Sequence, residues 1–202
     1  MHLFKTRLRS EPRLFVSRLR ELYSHEPGNY IVLTATHPPM AYHEVVSRVL
    51  NLLKANNCWY ETFEHEPVRT SEEAAKTRPG YTLHQGAKAM IVKAQGAQTR
   101  FVMLVLPADL RFDNSKVKLL LNARDLRFAS EPEVLELTGG VQPGAVPPFG
   151  NLFQLDVVAD PGLFANQRIV FNAGDRSFSV AMMAEDYKRI VDPKIGSIAR
   201  EI

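Results

Sequence analysis

The 202-residue chain lacks paired cysteines, long apolar runs and a large net charge. Its single cysteine, Cys58, excludes an internal disulfide and is typical of a reducing compartment. No apolar run approaches the roughly 20 residues of a membrane-spanning helix. We therefore expect a cytoplasmic protein with no membrane partner. In it, Cys58 beside Trp59 is expected to be a small buried apolar residue and not a nucleophile.

Sequence motifs for metals, nucleotides and nucleophilic catalysis are also absent. The chain has no G-x-x-x-x-G-K-[ST] phosphate loop, no G-x-G-x-x-G and no G-x-S-x-G nucleophile elbow. Its six histidines show neither H-x-H nor H-E-x-x-H spacing, so no metal and no other cofactor is expected. His65 and His84 are isolated acid–base candidates, although an isolated histidine is more often structural.

Positive charge is concentrated at the N-terminus. Residues 1–20 carry a net charge of +5, so the other 182 residues sum to −2. Residues 1–39 are expected to form an N-terminal extension with a helix over 11–24 and a short strand over 30–34. Three interpretations of the basic segment stay open: an arm that contacts a polyanion, the solvated face of a helix, or an organelle transit segment.

Residues 40–202 are expected to form one domain of α and β structure. Apolar periodicity predicts helices over 41–56 and 184–191, and capping residues predict helices that start near Thr70, Asp113 and Ser130. Apolar runs predict strands over 59–65, 89–94, 100–106, 126–128, 152–159, 168–172 and 177–182, with the last turn at 172–175. Because strands and helices alternate irregularly and hairpins occur, we expect an α+β fold. It would have a mixed β-sheet with flanking helices, plus the N-terminal helical extension.

Residues 138–150 form the most distinctive loop of the sequence. They contain four of the 11 glycines and three of the 13 prolines. Glycine allows a ligand to approach the main chain closely and proline stiffens it, so the loop could be a pocket wall made of backbone groups. An ordinary surface connection has the same composition, and both interpretations stay open.

Four short motifs occur in order within residues 41–198. They are the segments 63–75, 86–92 with Lys88 near the start of a strand, 144–148 with a G-x-x-x-P pattern, and 172–177. In this order they resemble the YbaK family, whose domain is also the editing insertion of bacterial prolyl-tRNA synthetases. Each motif alone is weak, whereas the ordered set is specific.

The resemblance implies a free-standing aminoacyl-tRNA deacylase that acts in trans on mischarged tRNA, because the chain has no room for a synthetase core. In the family, the lysine holds the acceptor end, the loop surrounds the aminoacyl carbonyl, and the substrate's ribose hydroxyl largely activates water. Expected partners are tRNA and, as a further possibility, an aminoacyl-tRNA synthetase.

Specific site residues follow from the same resemblance. It implies catalytic roles for Lys88, Gly144, Ala145 and Val146. It implies substrate contacts by Thr70, Gly140, Pro148, Gly174, Asp175 and Ser177. With the basic segment as a tRNA-binding arm, the contacts would be Lys5, Arg7, Arg9, Arg13, Arg18 and Arg20.

Two features of the lysine motif need separate mention. Lys93 is an alternative to Lys88, but it lies an odd number of residues away on one strand and therefore on the opposite face. Many family members carry threonine or asparagine after the lysine, whereas this chain has Ala89, so one polar pocket contact is missing.

Two other functions stay open beside deacylation. The domain could bind tRNA or a synthetase without catalysis, or it could hydrolyse a small ester or amide. Pocket volume is expected to select the amino acid, with one methylene worth about 1–3 kcal/mol. The sequence does not indicate whether that amino acid is Ala, Cys, Ser, Thr or another.

Overall fold

The computed structural model describes residues 42–200. The predicted N-terminal extension, with its helix over 11–24, its strand over 30–34 and its six cations, lies outside the described residues. Among the described residues, no helix is long and apolar enough to cross a membrane.

Five α-helices and ten β-strands make up the described part of the chain. The helices are α1 (Glu44–Ala55), α2 (Ser71–Lys76), α3 (Asn114–Leu121), α4 (Glu131–Thr138) and α5 (Ala184–Val191). The strands are β1 (Tyr60–Glu64), β2 (Ala87–Gln95), β3 (Thr99–Pro107), β4 (Arg111–Phe112), β5 (Asp125–Phe128), β6 (Asp156–Ala159), β7 (Arg168–Asp175), β8 (Phe178–Met183), β9 (Lys194–Ile195) and β10 (Ala199–Arg200). Two short 3-10 segments, Gly150–Leu152 and Pro161–Ala165, lie between them.

Three of the five α-helices begin at the predicted capping residues. Thr70 Oγ1 accepts the N–H of Glu73 at 3.1 Å, and the Glu73 carboxylate accepts the N–H of Thr70 at 3.2 Å, so the predicted capping box of α2 is present. Asp113 caps α3, and Ser130 is the N-cap of α4. Gly139 ends α4 in the left-handed conformation with φ of 70°, as expected of a C-terminal glycine.

The strands form two larger sheets and one small pair. The larger sheets have the orders β5-β2-β3-β6-β9 and β1-β8-β7, and β4 pairs with β10. The predicted hairpin of β2 and β3 is antiparallel, whereas β6 pairs in parallel with β3 and with β9. The α+β class and the mixed sheet are therefore confirmed, although the strands are divided between separate sheets.

Two details of the predicted strands are wrong. Residues 172–175 are not the last turn: they belong to β7, whose pairing with β8 is irregular there, and the chain turns at residues 176–177. Gly174 has φ of 110° and lies so close to α1 that an added Cβ would be 2.8 Å from Val45. The strand expected from residue 152 begins only at Asp156, because the chain first forms a 3-10 turn at Gly150, which packs against Leu155.

The main core lies between the two larger sheets and α1, and a second core lies on the other face of the five-stranded sheet, under α3. β2 contributes to both cores, because Ile91 faces the first and Val92 the second. Cys58 is 3% exposed and belongs to the main core, as predicted.

Candidate active site

A cleft of about 250 Å³ lies where α2, the start of β2, the 144–148 loop and β7 meet. Its polar lining consists of Arg69, Thr70, Ser71, Arg78, Thr82, Lys88 and Asn172. The remainder of the lining is Ala74, Ala75, Leu83, Gly86, Ala87, Ala89, Met90, Ala108, Gly144, Val146 and Phe171. None of the described residues that line it is Asp, Glu, His or Cys. The cleft is therefore cationic, and no carboxylate or imidazole lines it.

One wall of the cleft is the edge of β2 that β5 leaves uncovered. β5 pairs only with residues 92–95, so the earlier part of β2 has β3 on one side and the cleft on the other. The N–H of Ala129 donates to the carbonyl oxygen of Ile91 at 2.9 Å, so the backbone groups of Ile91 point to the β5 side. Since these groups alternate along an antiparallel strand, the N–H and C=O of Ala89 point to the same side. Main-chain donors and acceptors thus lie beside Lys88.

Lys88 lies in the cleft wall with a half-buried side chain. Its Nζ donates to the carbonyl oxygens of Leu110 at 2.5 Å and Ala108 at 3.2 Å, so the turn after β3 fixes the ammonium group. Burial lowers the pKa of Lys88 below that of an ordinary lysine, and the carboxylates of Glu72 and Asp109 partly oppose this shift.

Lys93 lies on the opposite face of β2. Its Nζ is 3.2 Å from a carboxylate oxygen of Glu133 and 5.1 Å from the centre of the Phe101 ring. The expected separation of the two lysines is present, and Lys88 alone of the pair lines the cleft.

The 144–148 loop is held in place by side chains of the β7–β8 hairpin. Gly144 has φ of 86°, and its carbonyl oxygen accepts from Nδ2 of Asn172 at 2.7 Å. Nη2 of Arg176 donates to the carbonyl oxygen of Pro143 at 2.7 Å. Within residues 42–200, the N–H groups of Gly144 and Val146 have no hydrogen-bond acceptor. Two residues of the cleft lining thus carry main-chain donors that the described fold does not use.

A buried arginine, Arg78, is connected to the loop through Asn172. Arg78 is only 6% exposed, and it donates from Nε to Oγ of Ser179 at 3.0 Å and from Nη2 to Oδ1 of Asn172 at 2.5 Å. Burial lowers the pKa of Arg78 to about 10, so the group stays cationic at neutral pH. No carboxylate of the described chain forms an ion pair with it. Arg78 thus adds an uncompensated positive charge to the cleft and orients Asn172.

The two candidate histidines lie outside the cleft lining. His65 Nε2 is 2.7 Å from Oγ of Ser179, and burial lowers the pKa of this imidazole. His84 Nδ1 is 2.9 Å from the carboxylate of Asp109. Both histidines have side-chain partners within the fold, and the described residues contain no group of three His, Cys, Asp or Glu that could hold a metal ion.

Four of the predicted site residues line the cleft: Lys88, Gly144, Val146 and Thr70. The Thr70 hydroxyl is also the N-cap of α2. The structure thus brings the lysine motif, the loop and the start of α2 together, although the segments are far apart in sequence. Their chemical roles stay predictions.

Three predicted residues lie behind the loop and do not line the cleft. Ala145 is buried, and its carbonyl oxygen accepts the N–H of Gly174 at 2.9 Å. The carbonyl oxygen of Pro148 accepts from the hydroxyl of buried Tyr187 at 2.7 Å. Ala145, Pro148 and Gly174 therefore connect the loop to β7 and α5, and a direct contact with substrate stays a prediction.

The other three predicted residues also lie outside the lining. Gly140 follows α4 with φ of 100°. Asp175 Oδ1 accepts the N–H of Ser177 at 2.9 Å, and the carbonyl oxygen of Ser177 accepts the N–H of His65 at 3.0 Å. These two bonds hold the turn before β8 and join it to the end of β1. Substrate binding by Gly140, Asp175 and Ser177 likewise stays a prediction.

Arg78 and Asn172 were not among the residues expected to bind substrate. In the sequence, Arg78-Pro79-Gly80 is typical of a solvated turn after a helix, and nothing local indicates that the guanidinium is buried. Asn172 lies in one of the four motifs, but its contact with Gly144 joins residues 28 positions apart. The burial of Arg78 and the contact of Asn172 with Gly144 are therefore visible only in the folded structure.

Comparison with known proteins assigns the chain to a family. A model of the aminoacyl-tRNA editing domain matches residues 65–190. The chain belongs to this family. The match confirms the resemblance drawn from the four motifs.

Curated relatives match this chain over 97 to 155 residues. The multifunctional Ser/Thr-tRNA deacylase ProXp-y of Escherichia coli K12 is 37% identical over 155 residues, which span 76% of this chain and 92% of that protein. The prolyl-tRNA editing protein ProX of Acetoanaerobium sticklandii is 30% identical over 155 residues, which span 73% of this chain and 89% of that protein. The proline–tRNA ligase of Bacillus licheniformis is 39% identical over 97 residues, only 16% of its own length.

Solved structures share the fold at lower identity. A candidate trans-editing enzyme for prolyl tRNA synthetase aligns with a TM-score of 0.68 and 22% identity, covering 79% of this chain and 99% of that one. The hypothetical protein APE2540 aligns with a TM-score of 0.67 and 23% identity, covering 76% of this chain and 99% of that one. These alignments confirm the α+β architecture.

Proposed function

We propose that this chain is a free-standing aminoacyl-tRNA deacylase that hydrolyses the ester of mischarged tRNA. One observation carries the proposal: in a member of the editing-domain family, Lys88, Gly144 and Val146 line one cationic cleft, and the N–H groups of Gly144 and Val146 have no acceptor within residues 42–200. The named activities of the Escherichia coli and Acetoanaerobium sticklandii relatives support it. The free-standing relatives are matched over about nine-tenths of their length.

The chemistry requires orientation and charge stabilisation more than a strong nucleophile. Water attacks the ester carbonyl carbon, the bond to the ribose oxygen breaks, and that oxygen takes a proton, which releases the amino acid and the tRNA. The N–H groups of Gly144 and Val146 would stabilise the oxyanion, as preorganised donors do in other acyl-transfer sites. Because no carboxylate or imidazole lines the cleft, the substrate's ribose hydroxyl is assigned to orient the water.

The cationic residues suit the anionic end of a tRNA. Arg69, Arg78 and Lys88 line the cleft without an acidic residue among its described lining. A lysine ammonium is a compact charge that can contact a phosphate or ribose oxygen. We assign Lys88 to hold the terminal nucleotide, with its position fixed by the carbonyl groups of Ala108 and Leu110.

The lining favours a small amino acid with a hydroxyl group. The volume is about 250 Å³, and the lining includes five alanines and the hydroxyls of Thr70, Ser71 and Thr82. The relative from Escherichia coli is named for Ser- and Thr-tRNA. We therefore propose seryl and threonyl esters as the preferred substrates.

A deacylation screen over a panel of misacylated tRNAs tests this proposal. We expect hydrolysis of Ser-tRNA or Thr-tRNA. Lys88→Ala should lower kcat/KM at least about tenfold, which is about 1.4 kcal/mol. Lys93→Ala is the matched control, because it removes a lysine from the other face of the same strand. If no member of the panel is cleaved at micromolar enzyme, the proposal is wrong.

A non-catalytic tRNA-binding module is the second candidate. The two hydrogen bonds from Lys88 Nζ to main-chain carbonyls are what favours it, since a structural lysine would make the same bonds. This candidate predicts salt-sensitive tRNA binding without turnover, because contacts between cations and phosphates weaken steeply with salt.

A further inference from the structure

A second cleft of about 620 Å³ opens beside the first one. Lys88 and Met90 line both clefts, so the two are continuous along one face of β2. Arg111, Phe112, Phe128 and Arg200 supply the chemistry of the second cleft. This pairing of aromatic rings with cations has no part in the hydrolysis described above.

Phe128 presents an aromatic surface in this cleft. The residue is 56% exposed although phenylalanine is usually buried, and it ends the edge strand β5. Its ring lies 5.2 Å from the ring of Phe112 at an interplanar angle of 84°, so Phe112 supports it edge-on. Phe128 pairs with Val92, which puts its side chain on the same face of the sheet as Lys88.

Two arginines face each other beside the aromatic pair. Arg111 and Arg200 are directly opposite in the antiparallel pairing of β4 with β10, an arrangement in which like charges are destabilising. Within residues 42–200, neither guanidinium forms a hydrogen bond or an ion pair. Asp113, the acidic residue of this cleft, accepts the N–H groups of Ser115 and Lys116 as the cap of α3, and its carboxylate also attracts Arg200 without forming an ion pair with it. An anion between the two arginines would offset their repulsion.

We propose that the second cleft binds the unpaired 3′-terminal nucleotides of the tRNA, with a base stacked on Phe128 and phosphates bound by Arg111 and Arg200. This inference rests on the proposed function, since it supplies the path of the RNA to the ester in the first cleft. Proteins that bind single-stranded nucleic acid combine aromatic platforms with cationic grooves in this way. Continuity through Lys88 puts both parts of one substrate on a single surface.

The test measures binding of a labelled single-stranded RNA that ends in CCA to the full chain at several salt concentrations. Phe128→Ala should weaken binding about tenfold, the scale of one lost base-stacking contact. The double variant Arg111→Ala/Arg200→Ala should lower the slope of log affinity against log salt by about 2. Leu119→Ala and Arg124→Ala are the controls, because each removes an exposed residue outside the cleft, one apolar and one cationic.

Two outcomes would overturn the inference. One is that both cleft variants bind the RNA as tightly as the two controls. The other is that polyglutamate competes equally with RNA on the wild type and on Phe128→Ala, which would indicate a site for an acidic polypeptide. Hydrolysis is measured separately. If the wild-type chain cleaves no misacylated tRNA and Phe128→Ala still loses RNA binding, the proposed function is wrong and the RNA-binding site is supported.

Kinetics provide an independent measurement on active protein. Phe128→Ala should raise KM for misacylated tRNA about tenfold and leave kcat near its original value, because the residue binds RNA away from the ester. A fall in kcat at unchanged KM would contradict the assignment.

Discussion

The side-chain amide of Asn172 donates to the carbonyl oxygen of Gly144 at 2.7 Å. On its other side, the same amide accepts from buried Arg78. A charged residue of the interior is thereby coupled, through one asparagine, to the loop that carries the unengaged N–H groups. The loop conformation depends on this connection as well as on its own glycine and prolines.

Replacing Asn172 with alanine should therefore impair catalysis, in addition to the stability that is lost with the Arg78 hydrogen bond. Without the amide, the Gly144 carbonyl is free to rotate and the neighbouring N–H groups lose their alignment. A misplacement of about 1 Å can cost on the order of 100-fold in rate. We expect kcat for Ser-tRNA or Thr-tRNA to fall about 10- to 100-fold. The exposed Asn151→Ala is the control, and a native kcat in Asn172→Ala would remove the coupling from the mechanism.

Arg78→Ala should destabilise the domain. The change removes the guanidinium that donates to Oδ1 of Asn172 and Oγ of Ser179, leaves the 3.1 Å bond between those two side chains, and opens a cavity. Hydrogen bonds to charged groups are worth about 1.5–3 kcal/mol each. We expect the free energy of unfolding in urea to fall by about 2–4 kcal/mol, allowing for relaxation around the site. Arg127→Ala, which removes an exposed guanidinium paired with Glu133, should change stability little. Equal losses in the two variants would show that burial of Arg78 is energetically unimportant.

Local signals were sufficient to predict the five α-helices and seven of the ten strands, whereas the two-residue strands β4, β9 and β10 were not predicted. The capping box at Thr70 and Glu73 satisfies backbone donors within four residues, and the β2–β3 hairpin joins two apolar runs that are close in sequence. The error at residues 172–175 has a tertiary cause. An asparagine and a glycine there are typical of a turn, but Gly174 serves to let α1 approach β7.

The candidate site was predictable only in part for a related reason. Lys88 and Gly144 belong to motifs with a family resemblance, so they were expected before the fold was known. The burial of Arg78 depends on Ser179, which is 101 residues away, and a hydrogen bond across that separation leaves no local pattern. Likewise, the opposition of Arg111 and Arg200 exists only once β4 and β10 pair.

His65 should make stability sensitive to acid. Burial lowers its pKa below the value of 6.5 that applies to the unfolded chain. Between the folded-state pKa and 6.5, the unfolded state binds more protons, so stability is lost as the pH falls through that window and the loss is complete below it. His65→Gln keeps a hydrogen-bonding group near Ser179 without titrating. We expect unfolding curves at pH 5–7 to show a smaller loss of stability toward acid in this variant, and an unchanged pH dependence would contradict the assignment.

Gly144 and Gly80 have similar backbone angles, so alanine substitutions at the two positions can separate the cost of backbone strain from a loss of activity. Gly144 has φ of 86° and Gly80 has φ of 84°, and at neither position would an added Cβ clash: the nearest atom to Gly144 is the Arg69 carbonyl oxygen at 3.6 Å, and Gly80 has no atom within 4 Å. Alanine at either position should therefore cost about 1–2 kcal/mol of stability, from left-handed strain alone.

Activity should distinguish the two variants. Gly144 lines the candidate active site and Gly80 does not, so relief of the strain at 144 would turn the loop and its N–H groups away from the ester. We expect kcat/KM for the misacylated tRNA to fall at least about tenfold in Gly144→Ala and to stay near native in Gly80→Ala, with both measured well below their midpoints of unfolding. Equal activities at equal stability would mean that the main chain of this loop takes no part in the reaction. The hydrolysis would then have to depend on Lys88 and on the substrate's own ribose.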